Sequence, residues 1–233
     1  MSSIQQNIEQ ITSQIESAQQ KCGRARERVQ LLAVSKTKPV EAILEAARAG
    51  QRLFGENYVQ EGADKVQYFN TLHPELDLEW HFIGPIQSNK SRIVAENFAW
   101  VHTVDRSKIA QRLNDQRPAG MPPLQVLIQV NTSGESSKSG ISEHEIVELA
   151  ELISALPNLT LRGLMSIPEN VPDYAAQLAA FQKLASLQAQ LSERFSGLDT
   201  LSMGMSGDMQ AAIEAGSTMV RIGTAIFGAR DYA

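Results

Sequence analysis

LLAVSKTKP (31–39) is the stretch whose reading decides the fold. Its apolar run Leu31–Val34 is short and β-favouring, and Pro39 closes it, so it reads as a buried strand with Ser35 and Lys36 emerging at its carboxyl end. On a two-residue period Lys36 shares a face with Val34 and Leu32. If that face is interior, the ammonium is partly desolvated, its pKa falls, and the amine becomes a Schiff-base candidate. A solvated lysine that opens a loop satisfies the same residues, so the rest of the chain must decide.

Outward from this strand, β and helical runs alternate without a break. LLAVSK (31–36) is followed by a helical run Val40–Ala49 ended by Gly50; RLFGEN (52–57) by a helix over about 58–70; EWHFIG (79–84) by Pro85, Ser88 as an N-cap and a helix Asn89–Asn97. WVHTVD (100–105) precedes a helix over about 106–116. LQVLIQVN (124–131), the most β-like run, opens into the polar loop 132–140 before a helix over about 142–156. LTLRGLMSI (159–167) leads to the longest helix, roughly 172–195; TLSMGM (200–205) leads to a helix over about 208–215; STMVRIG (217–223) and a short tail complete the series.

Alternating βα units predict a parallel sheet, and about eight of them predict closure into a single α/β TIM barrel, (β/α)8, over residues 1–233; an open doubly wound sheet is the rival. Only about ten residues follow the last strand, so the eighth outer helix is short or missing. Ile4, Ile8, Ile11, Ile15 and Ala18 recur every three to four residues in a polar segment, an extra N-terminal amphipathic helix of roughly 2–21. Docked on the chain's own body, it would cover that flank; a short coiled-coil dimer is the other use of such a face.

Composition narrows the function classes. Hydrophobic residues at 42% and charged residues at 20% suit a globular core rather than a disordered chain. A net charge of −5 argues against nucleic acid or an acidic membrane as partner and towards a small molecule. Cys22 is the only cysteine, which excludes an internal disulfide, and His73, His81, His102 and His144 show no ligand spacing, so no metal is expected. The amino terminus lacks a basic-then-apolar pattern and no run is long enough to span a bilayer; the expected location is cytoplasmic.

In a barrel of this kind chemistry sits at the carboxyl ends of the strands, with a phosphate site after strands seven and eight. SMGMSGDM (202–209) offers Ser206 and Gly207 at a helix start, and RIGTAIFG (221–228) offers Gly223 and Thr224 at another turn, both rich in free backbone amides. Either could be only a cap or a tight corner; together on the expected strands they suggest an anion cradle. Arg221 and Gly223 share one face of strand eight, and Gly223 leaves room for a flat ligand beside the guanidinium. Strand eight closes against strand one, bringing Lys36 close. A molecule with an aldehyde, a ring and a phosphate meets all three features, and pyridoxal 5′-phosphate (PLP) is that molecule.

LLAVSKTKP, FGENYVQE, WHFIGPIQSNK, KSGI, LRGLMSIP, SMGMSGDM and VRIGTAIFGAR resemble, in order and over essentially the whole chain, the blocks of the pyridoxal phosphate homeostasis proteins, single-domain relatives of the alanine racemase barrel. The resemblance implies a PLP-binding protein in vitamin B6 homeostasis that holds the cofactor as an internal aldimine on Lys36 and supplies it to PLP-dependent apo-enzymes. It further implies that Arg221 faces the pyridine nitrogen, that Ser206, Gly223 and Thr224 hold the phosphate, and that Asn57, Met165 and Ser166 line the cofactor.

Turnover is a separate question. A cationic Arg221 disfavours a protonated ring nitrogen and so weakens the ring as an electron sink. Related racemases also use a tyrosine from a second domain, for which residues up to Ala233 leave no room; Tyr58 and His81 are local stand-ins, each equally readable as a packing residue. The expectation is therefore binding without robust catalysis, as a monomer. The alternatives are a racemase-like PLP enzyme of low activity and a Schiff-base aldolase acting on a phosphorylated sugar. Lys138, in the polar 132–140 loop, is a candidate second contact during cofactor transfer.

Overall fold

A computed structural model describes residues 3–133 and 139–230. Lys138, a candidate cofactor contact in the sequence, lies outside the described residues. Eight strands are present among them: β1 (Gln30–Val34), β2 (Leu53–Glu56), β3 (Glu79–Phe82), β4 (Trp100–Val104), β5 (Leu124–Gln129), β6 (Leu159–Met165), β7 (Thr200–Ser202) and β8 (Met219–Ile222). They pair in parallel in sequence order, and β8 returns to β1 to close a barrel, with Gln30 opposite Met219 and Leu32 opposite Arg221. Closure rules out the open doubly wound alternative.

The two faces of each strand do different work. Outward residues such as Ala33, Phe54, Phe82, Val101, Val126, Ile128, Leu164 and Val220 join one apolar cluster with the helices around the barrel. Those helices are α2 (Val40–Arg48), α3 (Val59–Leu72), α4 (Ser91–Asn97), α5 (Ser107–Gln116), α6 (Ile146–Ser154), α7 (Tyr174–Ser192) and α8 (Met209–Ala215). Inward residues form separate clusters, Leu32 with Val34, Ile83 and Met219, and Trp100 with Leu127 and Met165. The barrel is therefore filled by side chains, and a ligand can enter only at its mouth.

The amino-terminal helix α1 (Ile4–Lys21) is held at its start by a capping box between Ser3 and Gln6. It buries Ile11, Ile15 and Ala18 against the body, and Asn7 Nδ2 donates to the Ile226 carbonyl at 2.8 Å in α9 (Thr224–Phe227), the single turn that follows β8. The amphipathic face is thus spent on the chain's own flank, where the outer helix is short.

Two local expectations are corrected. Ser88 makes no side-chain cap; it opens a 3-10 turn (Ser88–Lys90), and its carbonyl accepts from Ser91 Oγ at 2.9 Å. The ends of several strands are shorter than their apolar runs, because pairing stops where the chain turns over the rim. Register shifts between β4 and β5 and between β5 and β6 were not expected. Opposite Leu127, β6 slips register at Gly163, whose φ of 148° and contact of an added Cβ with Thr200 O at 1.8 Å exclude a side chain. Gln188 of α7 repairs the slip, accepting from Leu164 N at 2.8 Å and donating to Thr200 O at 3.1 Å.

Candidate functional site

β1 ends at Val34, so Lys36 stands two residues past the strand, on the rim rather than inside the sheet. Its position is set from behind. Ser35 is fully buried, donates its hydroxyl to Glu56 Oε2, and gives its carbonyl to Lys65 Nζ at 2.8 Å. Lys65 also donates to both oxygens of Glu56 at 3.1 Å and to Glu61 Oε2 at 2.6 Å, and Glu61 Oε2 accepts the Thr37 amide at 2.7 Å. Thr37 itself has φ of 65°, a left-handed conformation that costs a residue with a branched Cβ about 1–3 kcal/mol. The residues on both sides of Lys36 are therefore gripped by a buried charge cluster. Burial pushes the Glu56 carboxyl up to about 7, outweighing Lys65 and the Ser35 hydroxyl, which pull it down.

Lys36 is half-buried, and burial first, then the nearby Arg230 guanidinium, hold its pKa below that of an ordinary lysine. It lines a cavity of about 580 Å³ at the carboxyl end of the barrel, together with Val34, Asn57, Ile83, Arg221, Gly223 and Thr224. Ser206 and Gly207 face the same cavity from the turn after β7. The amides of Ser206, Gly207 and Thr224 find no acceptor among the described residues, so they are free to bind an anion. Gly223 leaves little room for a side chain: a Cβ there would lie 2.6 Å from Arg230 Nη2 and 3.2 Å from Val34 O, so the arginine would have to move. Asp208 also lines the cavity, but its Oδ1 is turned back onto the Met205 amide at 2.7 Å.

On the cavity floor Arg221 donates through Nη1 to Ser202 Oγ at 2.7 Å and through Nη2 to the Ser166 carbonyl at 2.9 Å. Complete burial pulls its pKa down to about 10, so it remains a cation near neutrality. Asn57 Oδ1 and the Ser166 hydroxyl are buried and have no hydrogen-bond partner among the described residues. Orphaned polar atoms of this kind at the edge of a cavity mark where a polar ligand belongs.

Seven of the eight sequence-derived site residues, Lys36, Asn57, Ser166, Ser206, Arg221, Gly223 and Thr224, come together at or beside this cavity. Met165 does not: it is fully buried below, packed with Trp100 and Leu127. Tyr58 is exposed at the start of α3, and His81 is sealed inside the barrel with both ring nitrogens engaged, so neither is placed to move a proton in the cavity. Sequence reading missed Arg230 and the Glu56, Glu61 and Lys65 cluster. For the cluster the signals were present: a carboxylate inside the β2 run and an i,i+4 Glu61 and Lys65 pair on the next helix. Among the described residues no group of three His, Cys, Asp or Glu side chains could hold a metal, and no helix is long and apolar enough to cross a membrane.

Residues 6–231 match the family described as alanine racemase, N-terminal domain. The pyridoxal phosphate homeostasis protein of Vibrio cholerae is 78% identical over 232 residues, covering 100% of this chain and 98% of that one; its Escherichia coli K12 counterpart is 60% identical, covering 100% and 99%. Among solved structures, PipY of Synechococcus elongatus with PLP bound superposes with a TM-score of 0.83 at 34% identity, covering 97% of this chain and 100% of PipY. Alanine racemase from Corynebacterium glutamicum, at 16% identity and a TM-score of 0.65, covers 94% of this chain and 60% of its own and shares the fold. The chain belongs to the alanine racemase N-terminal domain family and, within it, to the pyridoxal phosphate homeostasis proteins.

Proposed function

We propose that this chain binds PLP covalently through Lys36 and serves PLP homeostasis, holding the cofactor and handing it to apo-enzymes. One observation carries the reading: an amine of lowered pKa, a buried guanidinium and two amide-bearing turns open onto a single cavity of about 580 Å³. PLP, when bound, supplies an aldehyde and an electron-poor pyridine ring. Lys36 keeps a larger fraction of free amine than a solvated lysine, so its Nζ would be the group to condense with that aldehyde, its two protons leaving with the carbonyl oxygen as water. The 206–207 and 223–224 amides, with Arg230 beside Gly223, bind the phosphate. Asn57 Oδ1 and Ser166 Oγ, orphaned without ligand, meet its remaining polar edge.

Arg221 only donates, so it favours a ring nitrogen with a free lone pair. A ring in that state draws electrons weakly, which favours storage over carbanion chemistry. The test is borohydride reduction of the PLP-loaded protein followed by peptide mapping. The label is expected on Lys36 and absent from Lys36→Ala; a label elsewhere, or none, overturns the covalent reading. Delivery is tested by activation of an apo-enzyme in the presence of a trap for free aldehyde, and rapid exchange of an amino-acid α-hydrogen in D₂O would favour the catalytic alternative instead.

A further inference from the structure

Behind Arg221 the barrel interior carries an unbroken polar file that the site as described does not use. Ser202 Oγ lies 2.9 Å from His102 Nδ1, His102 Nε2 lies 2.8 Å from His81 Nδ1, and His81 Nε2 lies 2.9 Å from Glu79 Oε2. Ser202, His81 and His102 are fully buried, whereas Glu79, the first residue of β3, keeps 41% of its side chain exposed at the opposite rim. The file thus runs from the cavity floor to solvent on the far side of the barrel. Nothing about binding the phosphate or the aldehyde requires it.

The proton directions follow from the two ends. Arg221 can only donate and an ionised Glu79 can only accept. Both imidazoles are fully buried, and burial holds them neutral, so each has one donor and one acceptor nitrogen. Ser202 accepts from Arg221 and has one proton to give. A single arrangement satisfies every link: Ser202 O–H to His102 Nδ1, His102 Nε2–H to His81 Nδ1, and His81 Nε2–H to Glu79. Reversing His81 sets two acceptors face to face at Glu79, and reversing His102 alone sets two acceptors face to face between the two rings. The flanking groups support this polarity. The hydrogen bond from His81 holds the Glu79 carboxyl below its usual range, with help from Trp100 and Arg162, while the charged or titratable groups acting on His102 among the described residues are His81 and Arg221, and Arg221 faces Asp208. His81 stacks on Trp100 with centroids 5.1 Å apart, which fixes its ring plane.

We propose that Glu79, His81 and His102 are positioning residues that act through Ser202 to lock Arg221 as a fixed donor to the ring nitrogen of a bound pyridine cofactor. The proposal rests on the PLP reading above. With its proton committed to His102, Ser202 must present a lone pair to Arg221, so the guanidinium cannot swing away or give up its place to a protonated ring. The protonation state of the cofactor is thereby set from the far rim of the barrel.

Long-range ¹⁵N NMR on the full chain without ligand reads the two tautomers directly, and both rings are expected to carry the proton on Nε2. Glu79→Leu removes the terminal acceptor; the expected result is a mixed tautomer at His81 or His102, with Glu79→Gln intermediate. In PLP-loaded protein the same Leu variant is expected to shift the pH titration of the bound chromophore and to weaken PLP binding about fivefold, the effect of losing roughly one net hydrogen bond. Glu79 is outside the cavity, so a purely structural change there would leave the chromophore titration unmoved. An Nδ1–H tautomer in either wild-type ring, or unchanged tautomers and titration in Glu79→Leu, overturns the proposal. A wild-type chain that takes up no PLP overturns the reading beneath it as well, and the ligand-free NMR result tells the two failures apart.

Discussion

Lys65 Nζ sits 3.1 Å from both carboxylate oxygens of Glu56, with 7% of the lysine side chain and none of the glutamate exposed. A buried pair of this kind adds little net stability over apolar packing, yet it is costly to break from one side. Its placement explains its presence: it holds Ser35, the residue before Lys36.

Removing the carboxylate alone should therefore destabilise the fold. Glu56→Leu is expected to lose about 3 kcal/mol in urea unfolding, moderated by the remaining Glu61 contact, and the double change Glu56→Leu with Lys65→Met should recover most of it. A single variant as stable as the wild type would contradict the assignment.

The same pair gives a pH dependence with a definite sign. Glu56 titrates near 7 when folded and near 4.5 when unfolded, so between those values the folded chain binds more protons. Its contribution is most favourable below pH 4.5 and is lost as the pH rises through 7, by at most about 3 kcal/mol. Comparing wild type with Glu56→Gln across pH 4.5–8 isolates this slope, and parallel curves would refute it.

Arg230 lowers the Lys36 pKa, second to burial. Arg230→Ala should therefore move the pH profile for PLP uptake to higher pH, part of the way towards an ordinary lysine. Stopped-flow absorbance checks it, and an unmoved profile would assign the whole effect to burial.

Gly223→Ala tests the cradle by volume alone. The new methyl group would meet Arg230 Nη2 at 2.6 Å and Val34 O at 3.2 Å, so the arginine must withdraw and the turn must give. PLP affinity should fall at least about tenfold, equivalent to about 1.4 kcal/mol, with the thermal midpoint nearly unchanged. Affinity equal to wild type would show that the turn does not contact the ligand.

The alternation of apolar runs was enough to read the closed barrel and its helical lid, because both are set by period and by connection length. The Lys36, Arg221 and Gly223 grouping was legible for the same reason, since β1 must meet β8. Met165, placed beside the cofactor by family resemblance alone, packs in the barrel interior with Trp100 and Leu127, a direction that the resemblance does not specify. The Glu79 to Arg221 file stayed hidden because its members lie on four strands and become neighbours only once the barrel closes. Arg230 lay beyond the last strand, where no period indicates direction.

The pairing of Gln30 with Met219 has a consequence for biosynthesis. A ribosome delivers β1 early, but its second neighbour emerges only after nearly two hundred more residues have been translated, and such distant pairings form slowly. Until then Leu32 has no Arg221 opposite it and Lys36 has no 223–224 turn across the cavity. The cavity is thus completed only in the finished molecule, and on the reading proposed above the nascent chain is spared premature capture of a reactive vitamer.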